Sequence, residues 1–249
     1  MKRPVLVLVI AGAVGVLSLA IVLAPRGLRR LEMFDVSRVE VQGTRYLAAE
    51  DVVAALRLEP GASVFDDPAP WLAALLEHPL VAEAKIERRP LATLVVQVTE
   101  KDPIAFAATP AVLPVAADGT VLPIDLVGAD LDLPVLLGVA LDSADDGEVE
   151  TLATREAVLT LSHVRSLAPD LYARISDAEP ASGGGMLLRL REPTGISALV
   201  PATPERRDLE QLSLALDDLA ASGSLGDVRL VDARFRDQVV VSWSQGARR

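Results

Sequence analysis

Residues 34–65 read FDVSRVEVQGTRYLAAEDVVAALRLEPGASVF, and residues 78–106 read HPLVAEAKIERRPLATLVVQVTEKDPIAF. In the first stretch Val39 and Val41 alternate with Arg38, Glu40 and Gln42, the period of a half-buried strand, and Gly43 stops it. From Leu47 to Leu56 the spacing turns helical, with Val52, Val53 and Leu56 in phase, and Pro60-Gly61 punctuates the end. Asp67 as N-cap and Pro68 at the first helical position open a second helix, whose apolar face carries Trp71, Leu72, Leu75 and Leu76. His78-Pro79 closes it. Two strands follow: Ala82, Ala84 and Ile86 oppose Glu83, Lys85 and Glu87, then Leu94, Val96 and Val98 oppose Gln97 and Thr99, with Arg88 to Ala92 as the hairpin loop. The order strand, helix, helix, strand, strand predicts a three-stranded sheet covered by two helices.

Upstream, Val5 to Ala24 is an uncharged apolar run. At about 1.5 Å rise per residue it makes a helix of roughly 30 Å, the thickness of a bilayer's hydrocarbon core. It is longer than a secretory h-region and runs into Pro25-Arg26 without a clear A-x-A site, so it reads as an anchor. Residues 1–4 form a short tail and residues 25–33 a linker. Lys2 and Arg3 on one side balance Arg26, Arg29 and Arg30 on the other, so charge alone leaves the topology open. Of the 24 basic side chains five fall in residues 1–30, which hold no acid, so the rest carries 19 bases against 35 acids. Such a body is repelled by phosphate backbones, which argues against a nucleic-acid partner. With no cysteine there are no disulfides and no thiolate chemistry.

Downstream, residues 115–122 read as a hairpin about Asp118-Gly119, and Leu133 to Gly138 as a strand ended by glycine. Thr151 to Ala168 is helical, closed by Pro169; Ser182 to Gly185 is a turn between short strands, the second being Met186 to Leu190. A last helix from about Pro204 to Ala221 places Leu209, Leu212, Leu216 and Leu219 on one face. Strands at Val228 to Ala233 and Gln238 to Ser244 complete the chain before residues 245–249, read as a disordered tail. The whole is α+β: one N-terminal transmembrane helix, the strand-helix-helix-strand-strand domain, then a β-rich domain with two or more helices.

The V-x-V-x-G exit at Val39 to Gly43, Gly61 to Phe65 between the helices, Pro79 to Ala84, Arg88-Arg89-Pro90 and Leu94 to Glu100 together resemble the POTRA domain of FtsQ/DivIB bacterial cell-division proteins. VDARFRDQVVVSW at residues 231–243 is similar to the C-terminal hairpin of that family. The resemblance implies a POTRA domain at 34–101, a β domain at 102–244, an amino end in the cytoplasm and a bulk outside it. It also implies the partners FtsB and FtsL at the division septum, with other division proteins docking on the first domain.

No reactive constellation accompanies this. His78 and His163 lack further metal-type ligands at useful spacing, and no G-x-S-x-G, S-x-x-K, P-loop or H-E-x-x-H is present. The acidic run Asp142, Asp145, Asp146, Glu148, Glu150 does not have EF-hand spacing and reads as a solvated loop. No catalytic residue, cofactor or metal is expected. Binding surface remains: Gln238, Val239, Val240, Val241 and Trp243 lie on the final strand, with Val239, Val241 and Trp243 on one side and Val240 on the other. As an edge strand it offers free N–H and C=O groups onto which a partner's strand can add. The resemblance implies this use for FtsB, with Arg234 and Phe235 matching an Arg-Tyr pair of the family and Arg206 and Arg207 nearest its basic helix contact. The competing readings are a POTRA component of outer-membrane protein translocation or assembly, which lacks a second POTRA copy and barrel strands here, and an enzyme acting on cell-wall polymers, which lacks an acid/base pair.

Overall fold

The computed structural model describes residues 32–89, 92–108, 112–139 and 152–244. The apolar run at 5–24, the acidic run at 142–150 and both terminal tails lie outside these residues. No helix among the described residues is long and apolar enough to cross a membrane. The chain divides between Glu100 and Lys101 into two units.

In the first unit β1 (Arg38–Gln42) is followed by α1 (Ala49–Ala55), α2 (Ala69–Leu76), β2 (Val81–Arg89) and β3 (Thr93–Glu100). The sheet order is β1-β3-β2, with β1 parallel and β2 antiparallel to the central strand. Central β3 is buried almost throughout, Leu94, Val95 and Val96 completely so. Its apolar run is longer than a simple alternation because side chains on both faces are covered. Gly43 ends β1 where the chain passes against β3: a Cβ there would stand 2.3 Å from the Val98 carbonyl oxygen, and φ is +87°. Just beyond it the Glu100 carboxylate accepts the backbone N–H groups of Arg45, Tyr46 and Leu47 at 2.8–3.1 Å.

Helix α2 begins one residue later than its sequence suggests, with Asp67 Oδ1 accepting the Ala69 N–H. It buries Trp71 and Leu75, whereas Leu76, expected on the same face, is 48% exposed. An eight-residue helix presents only about two turns, too little arc for four apolar positions to be buried together. At its end His78 Nδ1 accepts the Leu80 N–H, the part of a capping histidine.

Among its described residues the second unit contains one eight-stranded sheet. Its strands are β4 (Pro103–Ala108), β5 (Val112–Ala116), β6 (Val135–Leu136), β7 (Ile175–Pro180), β8 (Met186–Leu190), β9 (Ser197–Val200), β10 (Val228–Asp232) and β11 (Val240–Trp243). Their spatial order is β11-β10-β9-β8-β7-β6-β4-β5. Among the described residues this unit also holds three α-helices, α3 (Leu152–Leu167), α4 (Pro169–Ala173) and α5 (Arg206–Ala221). One core joins α3 through Val158, Leu161 and Val164, and α5 through Leu209, Leu212 and Leu216, to inward residues of the sheet such as Leu188, Ala198 and Val231. Pro169 does not merely close α3. It stands at the start of α4, where its missing N–H costs nothing and its fixed φ suits a first turn.

Candidate partner-binding edge

Helix α5 opens on a capping box, the Glu205 and Asp208 side chains each accepting the other residue's backbone N–H. Its four inward leucines, Leu209, Leu212, Leu216 and Leu219, are buried, so the helix lies fixed against the end of the sheet that carries β9 and β10. Strand β10 pairs in parallel with β9 and antiparallel with β11. A bulge between Val228 and Leu230 sharpens the local twist there.

Strand β11 is the last in the sheet order: β10 covers one side, and among the described residues no strand pairs with the other. Ser244 N–H donates to the Asp227 carbonyl at 2.8 Å, which turns the backbone of residue 244 inward. Successive residues of an antiparallel strand alternate in this respect, so Ser242 also faces β10 while the N–H and C=O of Val241 and Trp243 face outward.

Side chains on this edge divide in a way the sequence did not foretell. Val239 and Val241 pack against the core, but Trp243, of the same parity, is 49% exposed at the end of the strand. Val240 is exposed on the opposite face, Gln238 is exposed, and Phe235 stands 45% exposed in the turn between β10 and β11 rather than on a strand.

The arginines named from the sequence are occupied within the chain. Arg234 forks onto the Asp232 carboxylate, Nε to Oδ1 at 2.9 Å and Nη2 to Oδ2 at 2.7 Å, while Nη1 donates to the Gly184 carbonyl at 3.1 Å. It therefore braces the last hairpin against the turn between β7 and β8. The brace needs Gly185, where a Cβ would lie 2.2 Å from the Val200 carbonyl oxygen and 3.2 Å from Arg234 Cδ. Hydrogen bonds from Arg234 hold the Asp232 carboxyl below the usual carboxylate range, against the upward push of burial. Arg207 pairs with Asp237, joining the start of α5 to the β10–β11 turn. Arg206 reaches the Leu167 carbonyl at the end of α3. Asp232, buried and paired, has no role in the sequence reading; its signal is the D-x-R spacing, which puts both side chains on one face of an extended segment. Among the described residues no group of His, Asp and Glu is placed to hold a metal ion.

Residues 34–101 match the family model for the POTRA domain, FtsQ-type. The chain is similar to the cell division protein FtsQ of Syntrophotalea carbinolica, 28% identical over 52% of this chain and 46% of that protein. It is also similar to the FtsQ of Rhodothermus marinus, 28% identical over 85% and 78% of the two chains, and to that of Geotalea daltonii, 22% over 84% and 75%. Among solved structures it matches the major extracytoplasmic domain of the cell division protein DivIB from Geobacillus stearothermophilus, at 20% identity and a TM-score of 0.30, over 49% of this chain and 94% of that one. The chain thus carries an FtsQ-type POTRA domain at residues 34–101 and is similar over most of its length to two FtsQ cell division proteins.

Proposed function

We propose that this chain is a non-catalytic scaffold of the division machinery, anchored by residues 5–24 with its amino end in the cytoplasm and its bulk outside, at the septum. Its edge strand β11 takes up an extended segment of FtsB, itself paired with FtsL, and through that complex helps control septal peptidoglycan synthesis. The single observation that supports this is the place of β11 at the rim of the sheet with a half-exposed Trp243 on it. Backbone hydrogen bonds would supply affinity and the neighbouring side chains selectivity. Phe235 and Trp243 are the aromatic anchors, each worth about 2 kcal/mol as interface hot spots. Arg234 serves indirectly, by fixing the hairpin that presents the strand.

Co-purification of FtsB with the full-length protein tests it. Trp243→Asp, or truncation before Gln238, is expected to abolish the complex while the first unit keeps its fold; an unchanged complex overturns strand addition at this edge. Protease accessibility in spheroplasts checks the orientation: digestion of the bulk from outside is expected, and full protection overturns it.

A further inference from the structure

Residues 238–244, QVVVSWS, hold neither charge nor proline. Edge strands are ordinarily blunted by charged side chains, by proline or by a bulge. Strand β2, at a rim of the three-stranded sheet, follows that rule with Glu83, Lys85, Glu87, Arg88 and Arg89. Strand β11 does not: the bulge opposite it lies in β10, so β11 itself keeps an unbroken alternation. The nearest acid, Asp237, is taken up by Arg207.

This stretch is complementary to itself. The N–H and C=O groups of Val241 and Trp243 point away from β10, and Val239, whose side chain packs on the same core side as Val241, continues that alternation. In an antiparallel pair only residues that both face the new strand exchange N–H···O bonds. A twofold axis at Val241 sets Val241 opposite Val241, Val239 opposite Trp243, Val240 opposite Ser242 and Gln238 opposite Ser244. Every bonded pair is then apolar, no like charges meet, and the 49% exposed Trp243 gains a valine from the other copy. An axis at Ser242 is poorer, because it leaves Val239 without an opposite residue within 238–244.

We infer that β11 pairs with β11 of a second copy of this chain in the Val241-centred register, joining two eight-stranded sheets into one across an isologous interface. The inference rests on the same open rim as the proposed function. FtsB would occupy the same outward amides, so the two pairings exclude each other. Residues 238–244 supply far fewer contacts than the roughly 20–30 residues a side of a stable interface, so the pair is transient and has to be trapped chemically.

The chain has no cysteine, so single cysteines read the register. Val240 and Ser242 are exposed, and across the axis they form a non-hydrogen-bonded pair with Cα atoms about 4.5 Å apart, within disulfide reach. Two copies of position 240, or two of position 242, lie instead on a diagonal of about 7–8 Å, beyond that reach. Full-length Val240→Cys and full-length Ser242→Cys, carrying different affinity tags, are mixed in detergent and oxidised. The mixed disulfide is expected to form at least about tenfold faster than either variant closes on itself, and Val241→Pro in both chains should remove that advantage. Equal rates for the three combinations, or an advantage that survives Val241→Pro, overturn the proposal. So does fastest closure of Ser242→Cys on itself, the mark of an axis at Ser242.

Purified FtsB added in excess separates this inference from the proposed function. Slower mixed closure supports both. FtsB that binds without slowing it upholds self-pairing and overturns FtsB addition at β11, whereas a protein that takes up FtsB but never forms the mixed disulfide overturns the self-pairing alone.

Discussion

The two ends of the eight-stranded sheet are finished differently. At the β5 end the chain folds back on itself: Ala116 N–H donates to the Thr120 carbonyl, Leu122 N–H to the Pro114 carbonyl, and Val115 bridges Val121. Pro114 has no N–H to leave open, and the turn is pinned by Asp118, which accepts the Thr120 N–H and the Lys101 ammonium. At the β11 end there is no such cover among the described residues, and Val240, Trp243 and nearby Phe235 are exposed. Sheets ordinarily blunt their edges. Among the described residues one rim is thus sheathed by the chain's own backbone and the other is not, the contrast on which the proposed strand addition rests.

The strongest way to break this contrast is a pair of prolines. Val241→Pro removes an outward N–H and is expected to weaken FtsB binding at least about 100-fold while costing the free protein about 1 kcal/mol. Ser242→Pro removes an N–H that faces β10 and should cost about 3 kcal/mol in thermal unfolding. Equal effects of the two on stability would mean the outward face has been misassigned. Next in size is Asp232→Asn, which unpairs Arg234 and is expected to cost about 2 kcal/mol and to weaken binding through the hairpin, measured by denaturant titration and calorimetry.

Amide exchange sharpens the comparison without mutation: Ala116 and Leu122 should be protected in the free protein, Val241 and Trp243 only once the partner is bound. The smallest effect is one of pH. At Asp118 burial pushes the carboxyl up, but hydrogen bonds from Lys101 and Thr120 outweigh it and leave it lowered; Asp232 is lowered by Arg234. A depressed carboxyl stabilises the fold above its unfolded value, so both contributions are complete above about pH 4 and fade as pH falls below it. Acid should therefore loosen the β5 cover and the β11 brace together, with the more exposed Asp118 contributing less, as exchange rates at Ala116 and Leu230 would show.

The first unit was largely legible because its strands and helices are short, alternating or amphipathic, and punctuated by Gly43, Pro60-Gly61 and His78-Pro79. Helix α5 was equally plain from its four leucines. Strands β4 and β9 escaped notice: PIAFAA is alanine-rich and starts with proline, and SALV is only four residues long, so neither carries a strong β signal. Both are strands because of neighbours far away in sequence, β4 lying between β5 and β6, and β9 between β8 and β10. The same limit applies to the edge. Its strand was visible as an apolar run, but the occupation of Arg234 by Asp232 and Gly184 depends on a turn 50 residues upstream.

The Glu100 carboxylate that gathers three amides of residues 45–47 sets a rule for handling the first unit in isolation. A fragment stopped even one residue short of it, or a ribosome that has not yet released it, would leave that loop without its keystone. Any excised version for crystallisation or binding work should run through position 100 or expect a frayed turn beside β1.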